Sequence, residues 1–177
     1  WYIGLRRPDY FASTATGTSV DVIAADLQGN AVSGLPITLT LTRIQWNSVR
    51  RAEGGGFYTW DTEEIRVPAG EWRVTSAATP TRVSIPGPEG GYYVLTATAA
   101  DTEGRRTRTD SSFYGLGKGY TAWQRYDHNR ITLEPEKKTW KPGETARIMI
   151  KSPWERATAL LTVEREGIRQ HRRFTLT

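Results

Sequence analysis

The sequence predicts an all-β protein, an antiparallel β-sandwich of immunoglobulin or fibronectin III type, with one complete module followed by part of a second. Three observations carry this. Apolar and polar residues alternate in short runs rich in Val, Ile, Thr and aromatics, which is the period-two pattern of half-buried strands, and no window shows a helical period with caps. Gly, Pro and Asp separate those runs at turn spacing. A module-opening motif, in which Trp140, Pro142 and Gly143 lead into Ala146, Ile148 and Ile150, recurs in looser form near the start of the chain.

Taken in order, the predicted strands of the first module are 1–5, 19–25, 37–44, 57–60, 71–76, 81–85, 91–99, 107–113 and 120–125. Two of the connecting turns share one design. Asp26 with Gly29, and Asp101 with Gly104, each follow an Ala-Ala strand end. The Asp side chain can bond the backbone two residues on, while Gly accepts positive φ, so the chain reverses at little cost. The run Gly91-Tyr92-Tyr93-Val94-Leu95 reads as a late sandwich strand in which a tyrosine hydroxyl ties down the preceding corner; a plain core aromatic fits equally well.

Asp127, His128 and Asn129 are polar and precede the second opening motif, which places a boundary at 127/128 and gives modules 1–127 and 128–177. The second would hold strands 130–133, 145–151, 157–164 and 170–176, short of the roughly seven strands and about 100 residues of a full sandwich. Aligning the two opening motifs matches Ile3 and Leu5 with Ile131 and Leu133, Tyr10 with Trp140, Gly17 with Gly143, and Val20 and Val22 with Ala146 and Ile148.

Composition narrows the function. The net charge of +5 arises from basic pairs such as Arg50-Arg51 and Arg105-Arg106 that are interleaved with acids, unlike the one-sided stripe that nucleic acid selects, so no nucleic-acid partner is expected. The absence of cysteine excludes disulfides, cysteine metal sites and a cysteine nucleophile in this chain. No apolar run approaches the roughly 20 residues of a bilayer helix, and Trp1 is not a natural start, so the chain reads as an excised piece.

Catalysis finds little support. His128 lies in Asp-His-Asn, with Ser111, Ser112 and Ser152 as nominal nucleophiles, but no nucleophile elbow accompanies them. His171 stands among Arg169, Arg172 and Arg173 without companion acids at ligand spacing, so no metal or other cofactor is expected. Glu63-Glu64 and Glu134 with Glu136 read as edge-strand charge rather than a glycosidase pair. The glycines from Gly115 to Gly119 lack the phosphate-loop spacing and read as a connector.

The seven tryptophans admit two readings. Trp46, Trp60, Trp72 and Trp123 could form a platform for sugar rings, the basis of an alternative function as a carbohydrate-binding or adhesive module of a secreted multidomain protein. The favoured reading fills the sandwich and its junctions with them, and Trp123, Trp140 and Trp154, with His128, bracket the boundary as a candidate inter-module interface.

Three segments together are similar to the macroglobulin-domain region of the bacterial α2-macroglobulin family: Trp123 to Lys137, Lys141 to Ala146 and Ala159 to Ile168. Looser matches in the first module are Tyr2 to Arg6, Thr40 to Trp46 and Gly55 to Trp60. The resemblance implies a non-enzymatic scaffold in a periplasmic, cell-envelope or extracellular protease trap, whose partners are neighbouring macroglobulin domains of one parent chain and, through that parent, target proteases. Many members of the family bind the protease covalently through an internal Cys-Gly-Glu-Gln thioester, which this cysteine-free chain cannot contain, and no bait segment is identifiable in it. A half-built module would also leave strand edges through which two copies could pair as a homodimer.

Overall fold

The computed structural model describes residues 1–7, 9–117, 121–128 and 130–176. They form β1 (Tyr2–Arg6), β2 (Phe11–Ser13), β3 (Thr18–Ala25), β4 (Pro36–Ala52), β5 (Tyr58–Thr75), β6 (Thr81–Ile85), β7 (Gly91–Ala100), β8 (Arg106–Leu116), β9 (Thr132–Pro135), β10 (Ile148–Lys151), β11 (Ala157–Glu164) and β12 (Ile168–Leu176). A single 3-10 turn, Gly54–Gly56, joins β4 to β5. Two compact units result: 1–47 with 62–118, and 48–61 with 119–177. The long β4–β5 hairpin therefore contributes its base to the first unit and its tip to the second.

The first unit is a sandwich. A three-stranded sheet, β1-β3-β6, faces a five-stranded sheet, β2-β8-β7-β4-β5. Alternation along the strands delivers one side of each sheet to a common core: Ile3, Val20, Val22, Ala24, Val83 and Ile85 from the smaller sheet, and Leu39, Leu41, Tyr93, Leu95, Ala97 and Phe113 from the larger. The pairing is antiparallel except where β2 runs parallel to β8, with Phe11 opposite Tyr114. That three-residue edge strand is too short to show a period, so it escapes sequence reading.

Both Asp–Gly turns form as their sequences require. Asp26 Oδ1 accepts the N–H groups of Gln28 at 2.9 Å and Asn30 at 2.8 Å, and Asp101 Oδ1 accepts those of Glu103 and Arg105 at 2.9 Å each. Gly29 and Gly104 take φ of 87° and 78°. The Asn30 side chain and the turn N–H groups hold the Asp26 carboxyl below its usual range; Arg105 does the same for Asp101.

Tyr93 fulfils both of its readings. Its ring is buried and stacks on Phe113 at 5.5 Å, and its hydroxyl donates to the Glu89 carbonyl at 3.0 Å, closing the corner before β7. Burial pushes its phenol pKa up. Arg43 braces the same corner, donating to the Gly90 carbonyl at 2.7 Å and pairing with Glu89. Gly87 lets that corner approach the β2–β3 turn, since a Cβ there would lie 1.9 Å from the Thr14 carbonyl oxygen. On the opposite face of the smaller sheet, Asp21 on β3 receives Arg6 from β1 at 2.9 Å and Arg82 from β6 at 2.8 Å, tying all three strands. Hydrogen bonds from Arg82 and then Arg6 pull its pKa down to about 2.

The second unit holds two separate hairpin pairs, β9–β10 and β11–β12, together with the β4–β5 tip. Its opening motif repeats the pairing of the first. Leu5 lies opposite Val22 and Leu133 opposite Ile150, a separation of 17 residues in each case. The structural equivalents of Val20 and Val22 are therefore Ile148 and Ile150, a two-residue correction to the motif alignment that keeps every side chain on its face.

Three predicted strands change. Segments 57–60 and 71–76 are the ends of one strand, β5. Its middle lacks alternation because β5 is an edge strand with residues such as Asp61, Glu63, Glu64 and Arg66 exposed. Residues 121–126 form no strand, and Tyr120 lies outside the described residues; the polar groups of this segment bond the β4–β5 tip instead of a ladder.

Candidate inter-module interface

All four residues expected at the boundary belong to the second unit. Trp123 is half-buried, with Lys151 Nζ on β10 lying 5.8 Å from its ring centroid, and Lys151 in turn pairs with Glu134 on β9 at 3.0 Å. His128 is exposed and stacks on Tyr126 at 5.3 Å, while its Nδ1 accepts the Arg130 N–H at 3.2 Å. The indole N–H of Trp140 is enclosed without an acceptor among the described residues, beside Lys137, which pairs with Glu144 at 2.6 Å. Trp154 is exposed, its backbone held by Ser152, which donates to its carbonyl and accepts its N–H. Each aromatic thus has a local seat of its own.

Two residues that the sequence reading did not assign to this region join it. Trp60 and Ser48, from the hairpin tip, meet the segment that precedes the second opening motif. Asp127 Oδ1 accepts the Trp60 N–H at 2.6 Å, the Arg125 N–H donates to Ser48 Oγ at 3.3 Å, and the Arg125 guanidinium lies 5.2 Å from the Trp60 ring centroid. Separations of 67 and 77 residues between the bonded partners leave no local signal for these contacts.

Around these contacts the second unit exposes its apolar side chains: Ile131, Leu133, Ile148, Leu160, Leu161, Val163 and Ile168 are all open. On β11–β12, Ala159 faces Phe174 and Ala157 faces Leu176 across the ladder, while Leu161 and Val163, on the same face of β11, stand opposite Arg172 and Gln170.

The other candidates separate. Ser111 and Ser112 lie on β8 in the first unit, whereas His128 and Ser152 lie in the second. His171 stands opposite Thr162 in the β11–β12 ladder. Glu134 and Glu136 pair with Lys151 and Arg147 respectively, and Glu64 with Arg66. The platform tryptophans divide as well: Trp46, stacked on Tyr92 at 6.1 Å, and Trp72, packed against the core, belong to the first unit, and Trp60 and Trp123 to the second. Of the glycine-rich connector, 118–120 lies outside the described residues.

No family model matches the chain. Over 161 residues, 91% of its length, it is 28% identical to an α2-macroglobulin homologue of Nostoc sp.. It spans 8% of that relative's length. Solved structures agree on the fold of the chain. The native conformation of Escherichia coli α2-macroglobulin matches 98% of it with a TM-score of 0.57 and 18% identity, over 12% of the larger chain. Salmonella α2-macroglobulin reacted with methylamine matches 98% of it with a TM-score of 0.53 and 17% identity, again over 12%. No helix among the described residues is long and apolar enough to cross a membrane.

Proposed function

We propose that the chain is a non-enzymatic scaffold segment of a bacterial α2-macroglobulin-like protease inhibitor, working in the periplasm, cell envelope or extracellular space. Residues 1–127 are one macroglobulin-like module, and 128–177 are the N-terminal part of a second. The carrying observation is the set of exposed apolar side chains in the second unit, a surface that serves contact between modules. Its partners are neighbouring macroglobulin domains of the parent chain, with Trp123, His128, Trp140 and Trp154 in the contact; proteases are engaged by the whole parent. Similarity to much longer proteins supports this reading, because such proteins supply the covering surfaces.

A scaffold segment cannot couple proteolysis to closure. Mixed with trypsin and a large protein substrate, the isolated chain leaves the substrate fully digestible. Stoichiometric protection of that substrate overturns the reading.

A further inference from the structure

The second unit has no buried hydrophobic residue among those described, yet it gathers pieces far apart in sequence. Contacts of the segment 123–127 join these pieces, through the side chains of Trp123, Arg125 and Asp127 and through the Arg125 backbone N–H. Trp123 meets Lys151 on β10, Arg125 meets Ser48 on β4 and Trp60 on β5, and Asp127 meets Trp60 again. Each of these contacts is made by an odd-numbered residue of the segment.

β5 is an edge strand, so alternate N–H groups point away from β4 and need an acceptor. At Trp60 the acceptor is a carboxylate, and a charge-assisted bond of 2.6 Å is stronger than a neutral one. The Arg125 guanidinium meets the ring of the same residue, so one tryptophan receives both fastenings.

The geometry points to a strap: residues 123–127 are buckled to the hairpin tip by Asp127 and Arg125, and this buckle is the element that organises the second unit and sets where it opens. Trp60 is a positioning residue. A unit without a buried core opens locally at low free energy, and its opening follows the few polar contacts that close it. Because β4 and β5 run on into the first unit, the strap fastens to strands whose other ends are anchored in a packed core.

Amide exchange of the full chain tests this. In the unsubstituted protein the Trp60 amide and those of 123–127 are protected together. Asp127→Ala accelerates both about tenfold, the loss of one charge-assisted bond, and leaves β7 and β8 unchanged. Asp127→Asn, whose amide oxygen still accepts the Trp60 N–H, keeps most of the protection. Arg125→Ala loosens 123–127 without unfolding the first unit. An unprotected Trp60 amide in the unsubstituted chain overturns the strap, as does an Asp127→Ala variant whose strap exchanges at the original rate or whose acceleration spreads equally to β7 and β8.

Discussion

The two units place the same kind of strand in opposite circumstances. Among the described residues, every buried hydrophobic side chain belongs to the first unit, from Ile3 to Tyr114. Of the fifteen exposed large hydrophobics, twelve belong to the second, and the other three are Tyr2, Leu27 and Ile65. The two opening motifs sharpen the contrast because their registers are equivalent. Val22 on β3 is buried and has a second sheet above it, whereas Ile150 on β10 is only half-buried and Leu133 opposite it is exposed. Alternation makes a face, and only a second layer makes a core.

If the second unit is an incomplete module, lengthening the chain by about 50 to 60 residues of its parent, toward a sandwich of about 100, has the largest effect. Amides of β9 to β12 then become as protected as those of β3 and β7, and the unit's melting temperature rises. Equal protection of both units in the present chain, with no gain on extension, shows instead that 128–177 belongs to one integral domain. A second copy pairing edge to edge is the other available cover, and sedimentation at increasing concentration reads it directly.

Core truncation separates the units next. Leu39 is 0% exposed, so Leu39→Ala costs about 2–5 kcal/mol in chemical unfolding of the first unit. Leu161 is 38% exposed, and Leu161→Ala costs about 0.5 kcal/mol or less. Comparable losses at the two positions erase the distinction drawn here.

The tyrosine corner is a smaller test within the first unit. Tyr93→Phe keeps the ring on Phe113 and removes the hydroxyl bond to Glu89, so it costs about 1 kcal/mol and loosens the amides of Gly87, Glu89 and Gly90 before those of β7. A change below the precision of a denaturant titration shows that packing alone holds the corner.

Acid reads the Asp21 tie. Its folded pKa of about 2 lies below that of the unfolded chain, about 4. The tie's contribution is therefore complete above pH about 4 and is lost as pH falls toward about 2, because the unfolded chain binds the proton first. Asp21→Asn flattens the stability profile of the first unit in that window and leaves the exchange of β11 and β12 as it was. Superimposable profiles show the tie to be unused.

The fold class was legible because turn chemistry and period-two alternation are local. Asp26 and Asp101 bond N–H groups within four residues, and Tyr93 reaches back four residues to Glu89, so those features needed only a short window. The candidate interface was legible in part. Trp123, Trp140 and Trp154 were named as candidates by their type and spacing and lie in the second unit, whereas Trp60 and Ser48 join that unit from positions 67 and 77 residues away from their partners and carried no such mark.

The sequence by itself determined the all-β class, the Asp–Gly turns, the tyrosine corner and the repeated opening motif, since each rests on which φ, which face and which short-range hydrogen bond a residue favours. Only the tertiary structure decided that two predicted strands are one 18-residue edge strand, that 121–126 is not a strand, and that the two motifs align two residues further on. Those outcomes depend on what lies across the ladder or beyond the edge. A strand's partner is chosen by contacts formed over long loops, which no local pattern encodes.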